Sequence, residues 1–233
     1  MGAKFLWTAR RADKHSVAIH SLQIQPAAAR YAKENRRHLR ERAARMLNLV
    51  SSPGSGKTTL LTRSIGDLKD HFTICVIEGD QQTSRDAERV AATGIQVVQI
   101  NTGKACHLDA QMVGQALEGL NLENCNILFV ENVGNLVCPA DFDLGEEKRV
   151  VMISVTEGDD KPLKYPGIFA SSDLMVVTKI DLLPYVDFDC NACIRYAKRL
   201  KPSVEMIKTS AKSGEGLSQW YDWLCAVAVP VSR

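Results

Sequence analysis

No apolar run in this sequence approaches the roughly 20 residues that a bilayer crossing needs, so no membrane span is expected. The opening stretch, MGAKFLWTARRADKH, has Arg10 and Arg11 but no apolar segment of the kind a secretory signal uses. Cysteine is present but not as a framework: seven is an odd number, and most of the seven sit inside apolar runs. That argues against a disulfide scaffold and for a reducing cytoplasm. No C-x-x-C pair is followed by a second such pair, which removes the common zinc folds. Aromatics do not interleave with basic residues, so nothing supports nucleic-acid binding. Internal repeats and low-complexity tracts are also missing.

What is there is ordinary in bulk and uneven in layout. With 233 residues, 45% hydrophobic and 24% charged, the chain is long enough for a buried core. The net charge of +2 hides a division. Residues 1–45 hold eleven Lys or Arg against Asp13, Glu34 and Glu41, a segment of +8, so the other 188 residues total −6. Such a basic arm suits an acidic partner or a solvated helix face.

After Pro26, AAARYAKENRRHLRERAARM contains no glycine or proline and predicts a helix to about residue 45. Seven short apolar runs follow, at 46–50, 73–78, 96–100, 126–131, 150–155, 174–178 and 204–208, each reading as a strand buried on both faces. Helical stretches at about 57–69, 83–92, 105–119, 189–200 and 215–228 separate most of them. This alternation predicts a mostly parallel, seven-stranded α/β sheet with helices on both faces. The expected organisation is a basic extension with a helix over 1–45 and one domain over 46–233.

SSPGSGKTT (51–59) joins the first strand to the first core helix, the context a phosphate-binding loop requires and the mark of a P-loop NTPase. Gly54, Ser55 and Gly56 curl the backbone amides around a polyphosphate, and the helix N-terminus adds partial positive charge. Lys57 is placed to reach the β- and γ-phosphates, and the Thr58 hydroxyl to ligate Mg²⁺, with Thr59 beside it. Ser51 stands where the full pattern has glycine. Glu78 and Asp80, in EGDQQT, and Glu131, in ENVG, fall at the carboxyl edge of the sheet, where open α/β sheets bind ligands. Lys57, Asp80 and Glu131 are the catalytic candidates, with Asp80 a second Mg²⁺ ligand and Gly134 near the γ-phosphate. No glutamine is evidently placed to orient water and no arginine marks itself as a finger, so slow GTP hydrolysis is expected.

TKID (178–181) follows another strand. The Asp181 carboxylate suits the guanine N1–H and exocyclic amine, and the Lys179 stem suits the face of the base. Ser210, Ala211 and Lys212, in SAKSG, add backbone N–H groups for the guanine oxygen. Thr178 stands where asparagine is usual. GTP is favoured over ATP.

NTGKACHLDA (101–110) sets Cys106 beside His107, and Cys138 follows Glu131 by seven residues. Adjacent side chains in regular structure point apart. One ion is shared only at a loop-to-helix junction, or the two residues face a neighbouring subunit. The donors suit Ni²⁺ or Zn²⁺ alike, and three per chain are too few for a closed site unless a two-fold dimer pools them. Spacing alone favours a plainer reading, with both cysteines as small buried hydrophobes. Cys190 and Cys193, in DCNAC, read as incidental helix thiols.

NLVSSPGSGKTTLL, VIEGDQQT, NTGKACHLDAQM, ENVGNLVCPA, DLGEEKRVVMISVTEGDDKPLKYP and TKIDLLPY together resemble the HypB-type nickel-incorporation GTPases of hydrogenase maturation, from about residue 45 to 225. The resemblance implies a metal site of Cys106, His107 and Cys138 at a homodimer interface, regulated by GTP. It also implies nickel delivery to a hydrogenase large-subunit precursor together with other nickel-maturation proteins. The cysteine-rich or histidine-rich tract that some members carry ahead of the domain is not matched: residues 1–45 have no cysteine, and His15, His20 and His38 are widely spaced. The rival readings are a small-molecule kinase on the same phosphate loop and a metal-storage protein with a vestigial nucleotide site.

Overall fold

The computed structural model describes residues 26–228, and side chains from residue 28 onward. The expectations for His15, His20 and the basic residues of positions 1–25 lie outside them. Seven strands form one parallel sheet: β1 (Arg45–Ser51), β2 (Ile74–Asp80), β3 (Gln96–Asn101), β4 (Ile127–Glu131), β5 (Lys148–Ser154), β6 (Leu174–Thr178) and β7 (Glu205–Lys208). Their spatial order is β3-β2-β4-β1-β5-β6-β7. The sheet grows one way from β1 and then the other, so the carboxyl end of β1 is the switch point where such sheets open a crevice. The phosphate loop leaves from that end.

The helices are α1 (Pro26–Glu41), α2 (Lys57–Leu68), α3 (Arg85–Ala91), α4 (Ala110–Glu118), α5 (Lys161–Lys164), α6 (Pro166–Ser171), α7 (Cys190–Leu200) and α8 (Leu217–Ala228). On one face, α2 and α8 pack Leu60, Ile65, Trp220 and Leu224 against Leu47, Phe129 and Val176. On the other, Leu39 of α1 and Val113 of α4 cover Met46, Ile77 and Leu128, while Phe169 and Ala197 cover Val151 and Met175. Fully burying aliphatic and aromatic side chains of this size contributes about 1.5–3 kcal/mol each. Trp220 keeps its polar end satisfied by donating from Nε1 to Ser64 Oγ at 2.8 Å. Among the described residues no helix is long and apolar enough to cross a membrane.

Several boundaries depart from the sequence expectation. α1 stops at Glu41, not 45, because Ala43 takes a positive φ of 55° and Arg45 already pairs in β1. Helix formation near 105 is delayed to Ala110, where the Asp109 carboxylate caps the helix by accepting from Met112 N at 2.8 Å. β3 and β7 are sheet edges with partly exposed side chains, so neither is buried on both faces. α5 and α6 were not expected; Pro166 breaks them apart at Tyr165.

α1 is fastened by a polar side chain. Asn35 is buried and donates from Nδ2 to the carbonyls of Ala110 at 2.8 Å and Leu144 at 2.9 Å. Gly145, with φ 90°, admits it: a Cβ there would stand 2.6 Å from the Ala32 carbonyl oxygen. Replacing Asn35 by alanine removes that donor from two carbonyls, and the expected cost is about 1–3 kcal/mol, read as a lower urea midpoint. An unchanged midpoint would show that α1 is not anchored this way.

Candidate nucleotide and metal site

The phosphate loop closes over the end of β1 with positive φ at Gly54 (73°) and Gly56 (93°). These left-handed positions turn the amides inward at little cost only because glycine has no Cβ. Ser51, the departure from the common pattern, has a structural use: its Oγ accepts from Lys57 Nζ at 2.9 Å and donates to the Ser52 carbonyl at 2.7 Å. Lys57 is nearly buried, and burial lowers its pKa, with Glu131 opposing.

Thr58 Oγ1 donates to Glu131 Oε1 at 2.6 Å, while Glu131 Oε2 is buried with no partner. Burial raises the Glu131 pKa against the pull of Lys57 and the Thr58 bond. Glu78 lies opposite Glu131 in the β2–β4 register, and its own Oε2 is likewise unpartnered. Burial, then the Glu131 charge, pushes the Glu78 pKa up to about 8. Asp80 behaves differently: burial would raise it, but hydrogen bonds from Thr83 and the backbone of Gln81 outweigh this and hold it low. The result is a cavity of about 450 Å³ whose lining includes Gly54, Lys57, Thr58, Asp80, Glu131 and Gly134. Unpartnered carboxylate oxygens beside a threonine hydroxyl suit a hard cation.

Two residues that the sequence did not mark also line this cavity. Gln81 directs its side-chain amide to the Ala105 carbonyl at 3.2 Å. Arg89 of α3 bonds Asp86 at 3.2 Å and reaches Thr59 Oγ1 at 3.4 Å. The expectation of no glutamine or arginine at the phosphates is thereby corrected as to position. Lys161, in α5, was also missed; its Nζ donates to Ser52 Oγ at 3.2 Å.

A second cavity, about 220 Å³, adjoins the first through Gly56 and Thr59 and is lined by Thr178, Lys179, Asp181, Ser210, Ala211 and Lys212. Every base-site candidate is therefore brought together. Thr178 Oγ1 lies 2.6 Å from the Ser55 carbonyl and 3.1 Å from that of Ile153, so a threonine ties the base motif to the phosphate loop. Lys179, at φ 58°, donates to the Gly54 carbonyl at 2.7 Å.

The soft ligands converge about one loop away. Among the described residues, Cys106, His107 and Cys138 form the one group of three metal-ligating side chains, their donor atoms all within 4.8 Å of one another. The two sulfurs are 2.9 Å apart and both thiols are free. The shared hydrogen bond with Cys106 raises the Cys138 pKa, and burial lowers that of His107. A neutral imidazole is the ligating form, and His107 Nδ1 is buried without a partner. The His107 ring stacks on Phe142 at 3.8 Å. Both residues sit in loop, which resolves the objection that neighbours in a helix diverge. The plainer reading also fails in part, because Cys106 and Cys138 are half-buried, not core. Cys190 and Cys193 lie on α7, with Cys193 fully buried and its pKa pushed up to about 12 by burial.

Residues 45–208 match the family model for the CobW/HypB/UreG nucleotide-binding domain. The hydrogenase maturation factor HypB of Azotobacter chroococcum is 58% identical over 195 residues, covering 84% of this chain and 64% of that protein. The chain belongs to the HypB family. HypB of Archaeoglobus fulgidus superposes with a TM-score of 0.82 at 41% identity, over 87% of this chain and 99% of that one. HypB of Helicobacter pylori, solved in complex with nickel, gives 0.83 at 39% identity, over 87% and 95%. The chain spans 64–65% of the length of the first curated HypB relatives it matches.

For this HypB-family fold, Thr178→Val is expected to leave the Ser55 and Ile153 carbonyls without that donor, at a cost of about 1–3 kcal/mol. Amide exchange should speed up at Ser55 and Gly56 before it does elsewhere. Equal exchange in the two proteins would refute the tie.

Proposed function

We propose that this chain is a GTP-hydrolysing metallochaperone that delivers nickel to a [NiFe] hydrogenase precursor. It acts in the cytoplasm as a homodimer, alongside other nickel-maturation proteins. One observation carries the reading. The peptide from Glu131 to Cys138 begins at the phosphate cavity, where Glu131 holds Thr58, and ends in the soft-ligand cluster. Nucleotide chemistry and metal chemistry share eight residues of chain.

In hydrolysis, water attacks the γ-phosphorus, the bond to the β–γ bridging oxygen breaks, and GDP and phosphate leave. Lys57 neutralises the negative charge gathering on the β- and γ-oxygens, and the amides of the phosphate loop hold them in place. Thr58, Asp80 and Glu131 would hold Mg²⁺, which when bound supplies further charge compensation at the same oxygens. Its donor set fits: hydroxyl and carboxylate oxygens, one of them buried and unpartnered. Asp181 reads guanine through paired hydrogen bonds, and Lys179 lies over the base. Gln81 is committed to Ala105, which supports slow turnover.

The cargo is a soft or borderline divalent ion. Two thiolates and an imidazole suit Ni²⁺ and Zn²⁺, and family membership favours nickel. Three donors per chain leave a site that a second copy completes. Val137, next to Cys138, is a large hydrophobic side chain left 59% exposed, in keeping with cover by a partner copy. Loss of the γ-phosphate moves the Glu131–Cys138 peptide and loosens the cluster, so hydrolysis releases the ion.

Lys57→Ala is expected to abolish GTP turnover and, with it, nucleotide-dependent transfer of nickel to an acceptor, measured with a chromogenic chelator. Transfer at the wild-type rate without turnover would overturn the coupling.

A further inference from the structure

The metal cluster is enclosed by a ring of buried polar contacts that reaches well beyond the ligands. Asn132, the residue after Glu131, is buried, and its Oδ1 accepts from Leu108 N at 3.1 Å and Val133 N at 3.0 Å. Leu108 follows His107, so one side-chain oxygen grips both the ligand loop and the phosphate-cavity loop. Asn132 Nδ2 donates to Asn48 Oδ1 at 3.2 Å, in the middle of β1. Asn48 is wholly buried and donates onward to Glu146 Oε1 at 3.3 Å. That carboxylate is paired with Arg149 at 2.7 and 2.9 Å, and both side chains are under 10% exposed.

Arg149 then turns back toward the metal. Its guanidinium donates to the carbonyls of Phe142 at 2.6 Å and Ala140 at 3.3 Å, and to Ser171 Oγ at 2.8 Å. Ala140 and Phe142 belong to the turn that starts at Cys138, and the Phe142 ring stacks on His107. The ring therefore closes: Asn132, the Leu108–His107 loop, Phe142, Arg149, Glu146, Asn48 and Asn132 again. Its charges are expensive to bury, and nothing in sheet packing requires them in a core that is otherwise apolar. What they hold in common is the pair of loops that carry the three ligands.

We infer that Asn48, Glu146 and Arg149 are positioning residues for the metal cluster, and that this buried ring sets how strongly the nucleotide state is felt at Cys106, His107 and Cys138. The inference rests on the proposed nickel–GTP coupling and names the part of the chain that transmits it. A polar ring of this kind has two arrangements because each member has an alternative partner in water or backbone once one bond opens. Displacement of Asn132 by the loop at the γ-phosphate withdraws support from Leu108 directly. Arg149 keeps the Cys138 turn fixed meanwhile, so the two ligand loops part instead of moving together.

The test is nickel titration, followed by thiolate-to-nickel absorption, with the protein loaded with GDP or with a non-hydrolysable GTP analogue. In wild type the two affinities are expected to differ by about fivefold or more, the range of ordinary allosteric coupling. Asn48→Ser and Arg149→Lys open the ring from opposite sides without touching either ligand. Each is expected to bring the ratio close to one while nucleotide affinity changes less than about twofold, a small fraction of the coupling range. Equal affinities in wild type would overturn the proposed coupling itself. A wild-type ratio preserved in either folded variant would overturn the ring alone. A wild-type measurement covers the case in which neither variant folds. Amide exchange at Leu108 and Val133 should change together between the two nucleotides, because both amides share Asn132 Oδ1, and independent changes would refute the ring.

Discussion

A single oxygen, Oδ1 of Asn132, accepts amide hydrogens from two loops that lie 24 residues apart in sequence. One loop leaves β4 at the phosphate cavity, and the other carries Cys106 and His107. Were that oxygen absent, the loops would meet only through side-chain packing and the weaker Asn135-to-Cys106 carbonyl contact at 3.2 Å. Because it is buried, it cannot exchange its partners for water at low cost. The distance between phosphate chemistry and metal chemistry is fixed there, and the rest of the fold holds Asn132 in place. β1 presents Asn48, β4 delivers Glu131 and Asn132 in register, and Leu108 closes over Gly79, where a Cβ would clash with its side chain.

The phosphate cavity without its ligands is a set of charges awaiting compensation. Glu78 and Glu131 are pushed toward their protonated forms and Lys57 toward its neutral form, each chiefly by burial. A cation beside the carboxylates and a polyphosphate on Lys57 reverse both trends. Each then stabilises the charged groups that bind it, so occupancy and local order rise together. This strain is local: the sheet beneath is apolar and close-packed, with Val76, Ile127, Phe129 and Val150 fully buried. A rigid floor under a polar rim lets a small ligand-driven shift stay in the loops instead of dissipating through the core.

Much of this was legible in the sequence because its signals are local. The phosphate loop, the seven apolar runs and the Thr178–Asp181 motif are contiguous patterns whose chemistry follows from spacing. The soft-ligand triad was half legible: Cys106 and His107 are neighbours, but their meeting with Cys138 depends on two loops folding onto one edge. Asn35, Asn48, Arg89 and Arg149 were not legible at all. Their meaning lies in single hydrogen bonds to distant residues, such as Asn35 to Leu144 across 109 positions, and no periodicity records these. A buried asparagine in a strand or a lone arginine after one reads as an ordinary exception until its partner is known. The helix ends erred for a similar reason, since the Asp109 cap and the turn at Ala43 override propensity.

The central claim is that nucleotide state alters the ligand geometry of the metal. Nickel K-edge X-ray absorption measures that geometry directly on protein loaded with one ion per site. The account predicts that nickel–sulfur scattering changes between the GDP form and the form holding a non-hydrolysable GTP analogue, and that Cys138→Ala removes the difference. Identical spectra in the two nucleotide states, with sulfur ligation present in both, would contradict it.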